Sequence, residues 1–127
     1  MKIAALIARN LLGLMFLVFG MNGFLHFLPQ PPATGLAGQY LGALSTSHYF
    51  MPVFLLQFIG GVLLLANRFV PIALVLLGPV IVNILLYHIL MAPAGLPPGM
   101  IALALWLLTF YSVRSAFAGV FAAQVSA

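Results

Sequence analysis

Long apolar stretches alternate along the chain with short segments rich in proline, glycine or polar residues. A helix that crosses a bilayer needs about 20 predominantly apolar residues, and the apolar stretches approach or reach that length. We therefore predict four spans, at about residues 10–28, 50–66, 70–91 and 99–114. Because short connections make consecutive spans antiparallel, the predicted fold is all-α, a transmembrane up-down four-helix bundle.

The segments between and after the spans predict two further elements. The first span is expected to stop at the proline-rich segment 29–32, since proline cannot continue a helix. Residues 35–44 have helical spacing but are too few to cross, which predicts a short interfacial helix in the first outer loop. Residues 115–127 are predicted to form a C-terminal tail, and the whole chain, 1–127, is one membrane domain.

The charged residues are few and all basic. The chain is 65% hydrophobic and 3% charged, with a net charge of +4 and no Asp or Glu. Lys2, Arg9, Arg68 and Arg114 fall at the N-terminus, in the second connection or at the end of the fourth span, so the positive-inside rule places both termini in the cytoplasm. Arg9, Arg68 and Arg114 are predicted membrane-interface anchors. Scattered cations cannot follow a phosphate backbone, which argues against nucleic acid as a partner.

Several classes of chemistry lack the side chains that they need. The chain has no Asp, Glu or Cys, and therefore no carboxylate pair, thiolate nucleophile or carboxylate metal ligand among its side chains. We predict no metal site, and we favour a protein that has no catalytic activity on its own.

Six residues in the outer half of the predicted spans are candidate ligand-binding residues: Asn22, His26, Gln57, Asn83, Tyr87 and His88. Polar side chains inside a membrane are costly and often mark a functional cavity. Two interpretations stay open: hydrogen bonds between helices that fix their register, or a pocket for a small molecule under the interfacial helix. A haem between His26 and His88 is disfavoured, because both lie at the rim and His88 points about 140° away from Asn83 at 100° per residue.

Glycines are expected to bring the helices together. Gly13 and Gly20 lie one heptad apart on the first span, and Gly60 and Gly61 lie in the middle of the second. Membrane helices associate where small residues let their backbones approach. Gln57 shares a helical face with both glycines of the second span, so we expect it to point toward neighbouring helices.

Four segments carry a combination of motifs: an arginine that opens span one, a glycine before a polar residue near its end, a Gly-Gly-x-Leu-Leu-Leu stretch, and an Asn-to-His segment. They are ARNLLG at 8–13, FGMNGF at 19–24, GGVLLL at 60–65 and PVIVNILLYH at 79–88. This combination resembles the DoxX family of small bacterial membrane proteins. The resemblance implies a four-span bundle of the bacterial inner membrane in a family tied to redox work. By motif position it implies roles for Arg9, Asn22, Asn83 and His88.

The sequence leaves three functions open. We favour a non-catalytic subunit that binds a quinone-like or other lipid-soluble molecule and associates with a membrane or peripheral redox protein, a preference that depends chiefly on the resemblance. Asn, Gln and neutral His can donate to a quinone carbonyl without placing a charge in the membrane. The alternatives are a structural or assembly protein that docks a partner or a second copy through its bundle, and a small transporter subunit, for which only Pro79 suggests a broken helix.

Overall fold

The computed structural model describes residues 2–30 and 32–126, and within those ranges the chain is helical without a β-strand. Its α-helices are α1 (Lys2–Leu25), α2 (Gly35–Thr46), α3 (Phe50–Ala66), α4 (Val70–Leu90) and α5 (Leu96–Ser112). Short 3-10 turns lie before α5 at Pro93–Gly95 and after it at Arg114–Phe117. The prediction of an all-helical chain is confirmed. Pro31, part of the predicted proline-rich stop, lies outside the described residues.

Three stretches are long and apolar enough to cross a membrane: Lys2–Leu25, Val70–Leu90 and Pro93–Ser112. A fourth crossing is available if α2 and α3, which meet at an angle of 86°, form one broken span. Alone, α3 has 17 residues and measures about 26 Å at 1.5 Å per residue, slightly less than the roughly 30 Å of a bilayer's hydrocarbon core. The described chain thus has three or four apolar helices of the kind found in integral membrane proteins.

Left-handed backbone at four non-glycine residues marks the first three connections between the helices. His26 follows α1 with φ 53°, His48 lies at the bend between α2 and α3 with φ 62°, and Asn67 and Phe69 frame the α3–α4 connection with φ 55° and 54°. A residue in this conformation cannot continue a right-handed helix. The turn at His26 explains why α1 ends at Leu25, although the sequence placed the end of the first span near residue 28.

The closest helix pairing is between α1 and α3, which run in opposite directions. A Cβ added at Gly61 would stand 2.7 Å from the carbonyl oxygen of Gly13, and one added at Gly20 would stand 2.7 Å from the backbone nitrogen of Phe58. Ordinary side chains do not fit at such distances, so the glycines allow backbone-to-backbone contact. The predicted close approach at Gly13, Gly20 and Gly61 is confirmed.

The other helices complete a closed arrangement around a common core. α4 packs against α3 and α5, and α5 also packs against α1. The Trp106 indole of α5 donates from Nε1 to the carbonyl oxygen of Leu74 on α4 at 3.0 Å. The largest fully buried side chains are those of Phe16, Leu12, Leu64, Leu74, Leu77, Ile81 and Thr109. The core therefore lies along the axis shared by α1, α3, α4 and α5.

The chain returns to this core after α5. Phe117, in the second 3-10 turn, is only 7% exposed, and its ring centroid lies 4.9 Å from that of Phe110. By contrast, Phe121 is 76% exposed. The segment that the sequence assigned to a tail thus contains a packed residue at its third position, and its apolar character gave no sign of where packing would stop.

Candidate functional site

Asn22 closes the end of α1. Its side-chain Oδ1 accepts a hydrogen bond from the backbone N–H of Leu28 at 2.7 Å, and its backbone oxygen accepts one from the N–H of His26 at 2.8 Å. The side chain therefore satisfies a donor in the irregular segment that follows the helix. His26, the first residue after α1, is exposed and in left-handed backbone, so it lies outside the helix that carries Asn22.

Gln57 is the candidate residue that points into the packed helices. It is 6% exposed and lies on a face of α3 with three other buried residues, Gly60, Gly61 and Leu64, as its spacing predicted. Its side-chain amide makes no hydrogen bond with the described residues. Every fully buried side-chain nitrogen or oxygen of the described residues has a hydrogen-bond partner, so the amide atoms of Gln57 are not fully buried.

Asn83 faces away from the core. It is exposed, as is Pro79 one turn earlier, and its Nδ2 donates to the carbonyl oxygen of Pro79 at 3.0 Å. Asn22, Gln57 and Asn83 thus have different surroundings: the end of α1, the interior, and the outer face of α4. Neither of the two cavities outlined below, within residues 2–30 and 32–126, is lined by any of them.

Tyr87 and His88 join α4 to the neighbouring loops. The Tyr87 ring stacks on that of Tyr40 in α2, with centroids 5.7 Å apart, and meets the His88 ring edge-on at 4.9 Å. His88 Nδ1 lies 3.2 Å from the carbonyl oxygen of Ala92. Because a carbonyl only accepts, this contact needs the proton on Nδ1. His88 also packs on Gly95, where an added Cβ would stand 2.6 Å from its ring. These contacts hold α2 and the turn before α5 against the end of α4.

A cavity of about 400 Å³ lies at the opposite end of the helices, where the basic residues gather. We call it the cationic cavity; its lining is Lys2, Ala5, Leu6, Arg9, Asn67, Val70, Tyr111, Ser112, Val113 and Arg114. The sequence predicted Arg9 and Arg114 as separate interface anchors and did not predict a shared cavity. The sequence feature that could have indicated this cavity is that antiparallel spans bring all four cations to the same end of the helices.

Hydrogen bonds to backbone position the two arginines of the cationic cavity. Arg9 on α1 donates from Nη1 to the carbonyl oxygen of Leu64 near the end of α3 at 2.6 Å. Arg114 donates from Nη1 to the carbonyl oxygen of Tyr111 at 2.7 Å, and its Cζ lies 3.9 Å from the centroid of the Tyr111 ring. Both carbonyls lie in the last turn of their helices, where cationic side chains are suitable hydrogen-bonding partners.

A second, smaller cavity is apolar. It measures about 140 Å³ and is lined by Gly78, Ile81, Val82, Leu103 and Trp106 in the groove between α4 and α5. The Gly78 backbone approaches the indole, where an added Cβ would stand 3.5 Å from Cζ2. Chemically, this groove can hold only an apolar group.

Metal binding by clustered side chains finds no support in the described chain. Within residues 2–30 and 32–126 no three His, Cys, Asp or Glu side chains come close enough together to hold a metal ion. No family model, curated protein or solved structure matches the chain.

Proposed function

We propose that the chain is a four-span integral membrane protein of the bacterial inner membrane, with an up-down helix order and both termini in the cytoplasm. The single observation that carries this proposal is the distribution of exposed side chains. Large apolar residues are exposed on every long helix, among them Leu11, Leu55, Val75, Ile101 and Leu107. Such an extensive apolar surface is unfavourable in water and suits lipid. The cations, by contrast, gather at one end.

The pairwise contacts support an up-down order. α1 opposes α3 through the pairs Gly13–Gly61 and Gly20–Phe58, and the α3–α4 connection has only three residues, Asn67 to Phe69. The ends of α1 and α5 meet at the cationic cavity. We propose α3 as the fourth crossing, with α2 lying across its end at 86°.

Cysteine labelling tests this topology. Single cysteines at Gly38 and Ala94 should react with a membrane-impermeant maleimide added to intact spheroplasts, whereas a cysteine at Asn67 should react only after lysis. The natural chain has no cysteine, so each variant has one reactive thiol. Labelling of Asn67 from outside would reverse the orientation, and labelling of only one outer position would exclude four crossings.

Within that membrane framework we propose a non-catalytic subunit that binds a lipid-soluble molecule at Gln57. The support is an amide on a residue only 6% exposed, which makes no hydrogen bond with the described residues and lies on the face where α3 meets α1. Its atoms keep a small accessible surface, so its N–H groups are free to donate to a ligand acceptor. A quinone that is hydrogen-bonded at both carbonyls would need a second donor near Gln57, and the side chains of Asn22 and Asn83 lie in other surroundings. The residues present fit a ligand held through one polar group, such as one quinone carbonyl.

Native mass spectrometry of gently purified protein tests this binding. The wild type should retain a lipid-soluble molecule. Gln57→Leu should remain folded, and the amount of this molecule that it retains should be lower by about tenfold or more. Asn83→Leu is the matched control, because it removes an amide of the outer surface. If Gln57→Leu and Asn83→Leu retain the same molecules as the wild type, Gln57 is a packing residue and the ligand proposal is wrong.

A second candidate function, docking of another membrane protein, is favoured by one observation: Asn83 presents an amide on the exposed face of α4. Polar groups on lipid-facing surfaces often pair with another chain. In that case Asn83→Leu should weaken association with a partner or a second copy in detergent, measured by cross-linking, whereas Gln57→Leu should not. The two variants therefore separate the two functions.

A further inference from the structure

The cationic cavity collects charges from distant parts of the chain. Lys2 and Arg9 lie about two helical turns apart on α1, and Arg114 begins the 3-10 turn after α5. Asn67 adds an uncharged amide to the lining, and Ser112, whose hydroxyl donates to the carbonyl oxygen of Thr109 at 2.6 Å, also lines it. The cavity measures about 400 Å³, and small-molecule sites usually measure roughly 300–1,000 Å³. Three of the four cations of the protein thus surround one concave site of ligand size.

The two arginines are anchored before any ligand arrives. One Nη1 of each is engaged, with the carbonyl oxygen of Leu64 at 2.6 Å for Arg9 and with that of Tyr111 at 2.7 Å for Arg114. A guanidinium carries five N–H donors, so each arginine keeps further donors for a ligand while one fixes its position. Anchored side chains lose less conformational entropy on binding, which favours affinity.

The positive charge of this cavity has no carboxylate side chain to balance it, because the chain contains no Asp or Glu. Within residues 2–30 and 32–126 the two arginines donate to backbone carbonyls, which carry only partial charge. Three cations around one cavity repel each other, and an anion bound among them would remove that repulsion.

We propose that the cationic cavity binds a phosphate group, supplied by the headgroup of an anionic lipid or by a soluble phosphate ester. The planar fork of arginine matches two phosphate oxygens, and lysine adds a compact charge. Only the lipid source depends on the membrane placement proposed above: in a membrane, charged helix ends lie at the level of the headgroups, where anionic lipids concentrate. Binding of phosphate as such depends on the cavity alone.

The test uses purified full-length protein in detergent and compares Arg114→Gln with Arg68→Gln. Both arginines are exposed and both variants lower the net charge by one, but Arg68 does not line the cavity. In one arm, glycerol phosphate is titrated and its binding followed by calorimetry. In the other, the protein is mixed with phosphatidylglycerol or with phosphatidylcholine, and retained lipid is counted by native mass spectrometry.

We expect Arg114→Gln to weaken binding about tenfold or more, as loss of a charge-assisted hydrogen bond implies. Arg68→Gln should weaken it no more than about twofold, as expected for a solvent-screened charge outside the cavity. Lys2→Gln, at the exposed start of α1, is a second cavity variant, which still tests the site if Arg114→Gln does not fold. It should also weaken binding more than Arg68→Gln does.

Selective retention of one phosphatidylglycerol would identify the lipid headgroup as the source. Titratable binding of glycerol phosphate without lipid retention would identify a soluble ester. Absence of binding in both arms, or equal losses in the cavity variants and in Arg68→Gln, would overturn the proposal. These measurements in detergent do not depend on which side of the membrane Asn67 occupies. The proposed topology and the proposed phosphate site are therefore tested independently, and either can be wrong while the other is right.

Discussion

Replacing Gly61 with alanine should force α1 and α3 apart. The new Cβ would lie 2.5 Å from the backbone nitrogen of Leu17 and 2.7 Å from the carbonyl oxygen of Gly13. Both neighbours are backbone atoms, so no side chain can rotate away. To reach ordinary contact at 3.4 Å, the α1 backbone must move by about 0.9 Å.

The expected cost is the difference between two effects. Overpacking of a well-packed interface costs about 1–3 kcal/mol, and a shift of this size between two backbones belongs in the upper part of that range. Alanine is the better helix former and returns up to about 1 kcal/mol. We therefore expect Gly61→Ala to lower the free energy of unfolding by about 1–2 kcal/mol.

Two other glycines of the chain make a graded series with Gly61. A Cβ at Gly13 would lie 3.0 Å from side-chain atoms of Leu64 and Leu65 and 3.1 Å from the carbonyl oxygen of Gly61; these contacts are longer than those at Gly61, so Gly13→Ala should cost less. Nothing lies within 4 Å of a Cβ at Gly42 in α2, so Gly42→Ala should be neutral or stabilising by up to about 1 kcal/mol.

The assay is reversible unfolding in mixed micelles of increasing SDS content, followed by far-ultraviolet circular dichroism and by the fluorescence of the single tryptophan. The predicted order of stability is Gly42→Ala, then Gly13→Ala, then Gly61→Ala. Equal stability of Gly61→Ala and Gly42→Ala would refute the reasoning, because it would mean that α1 and α3 are not in backbone contact at Gly61.

Two further predictions use matched pairs in the same assay. Asn22→Leu should lower the free energy of unfolding by about 0.5–2 kcal/mol, because the Leu28 N–H loses its acceptor; Asn83→Leu, which removes only a bond within its own exposed turn, should change it by less than about 0.5 kcal/mol. Equal effects would remove the capping role of Asn22. Phe117→Ala should cost about 3 kcal/mol by leaving a cavity in the core, whereas the exposed Phe121→Ala should be neutral; a neutral Phe117→Ala would mean that this residue does not pack.

The inward face of α3 was predictable from sequence because it carries chemical markers. Gln57, Gly60 and Gly61 stand out from the surrounding leucines, and all three are buried. A polar or very small residue in a membrane helix has a reason to face other helices, and the spacing then defines the face.

The orientation of Asn83 could not be predicted in the same way. α4 is apolar all round, and lipid and neighbouring helices offer equally apolar surroundings, so its sequence has no periodicity that separates the two sides. The lining of the cationic cavity was hidden for a different reason. The lining depends on the packing of helix ends that are more than 100 residues apart in the chain, such as those that carry Lys2 and Arg114. Residue types alone do not specify how such ends pack.

The hydrogen bond from Arg9 to the carbonyl oxygen of Leu64 has a consequence for the order of assembly. Helices rise 1.5 Å per residue, so sliding α1 along α3 by one residue would break a bond of 2.6 Å. The register of α1 against α3 therefore depends on a carbonyl that lies 55 positions later in the chain. During synthesis α1 is made first, and this bond can form only after Leu64 has followed.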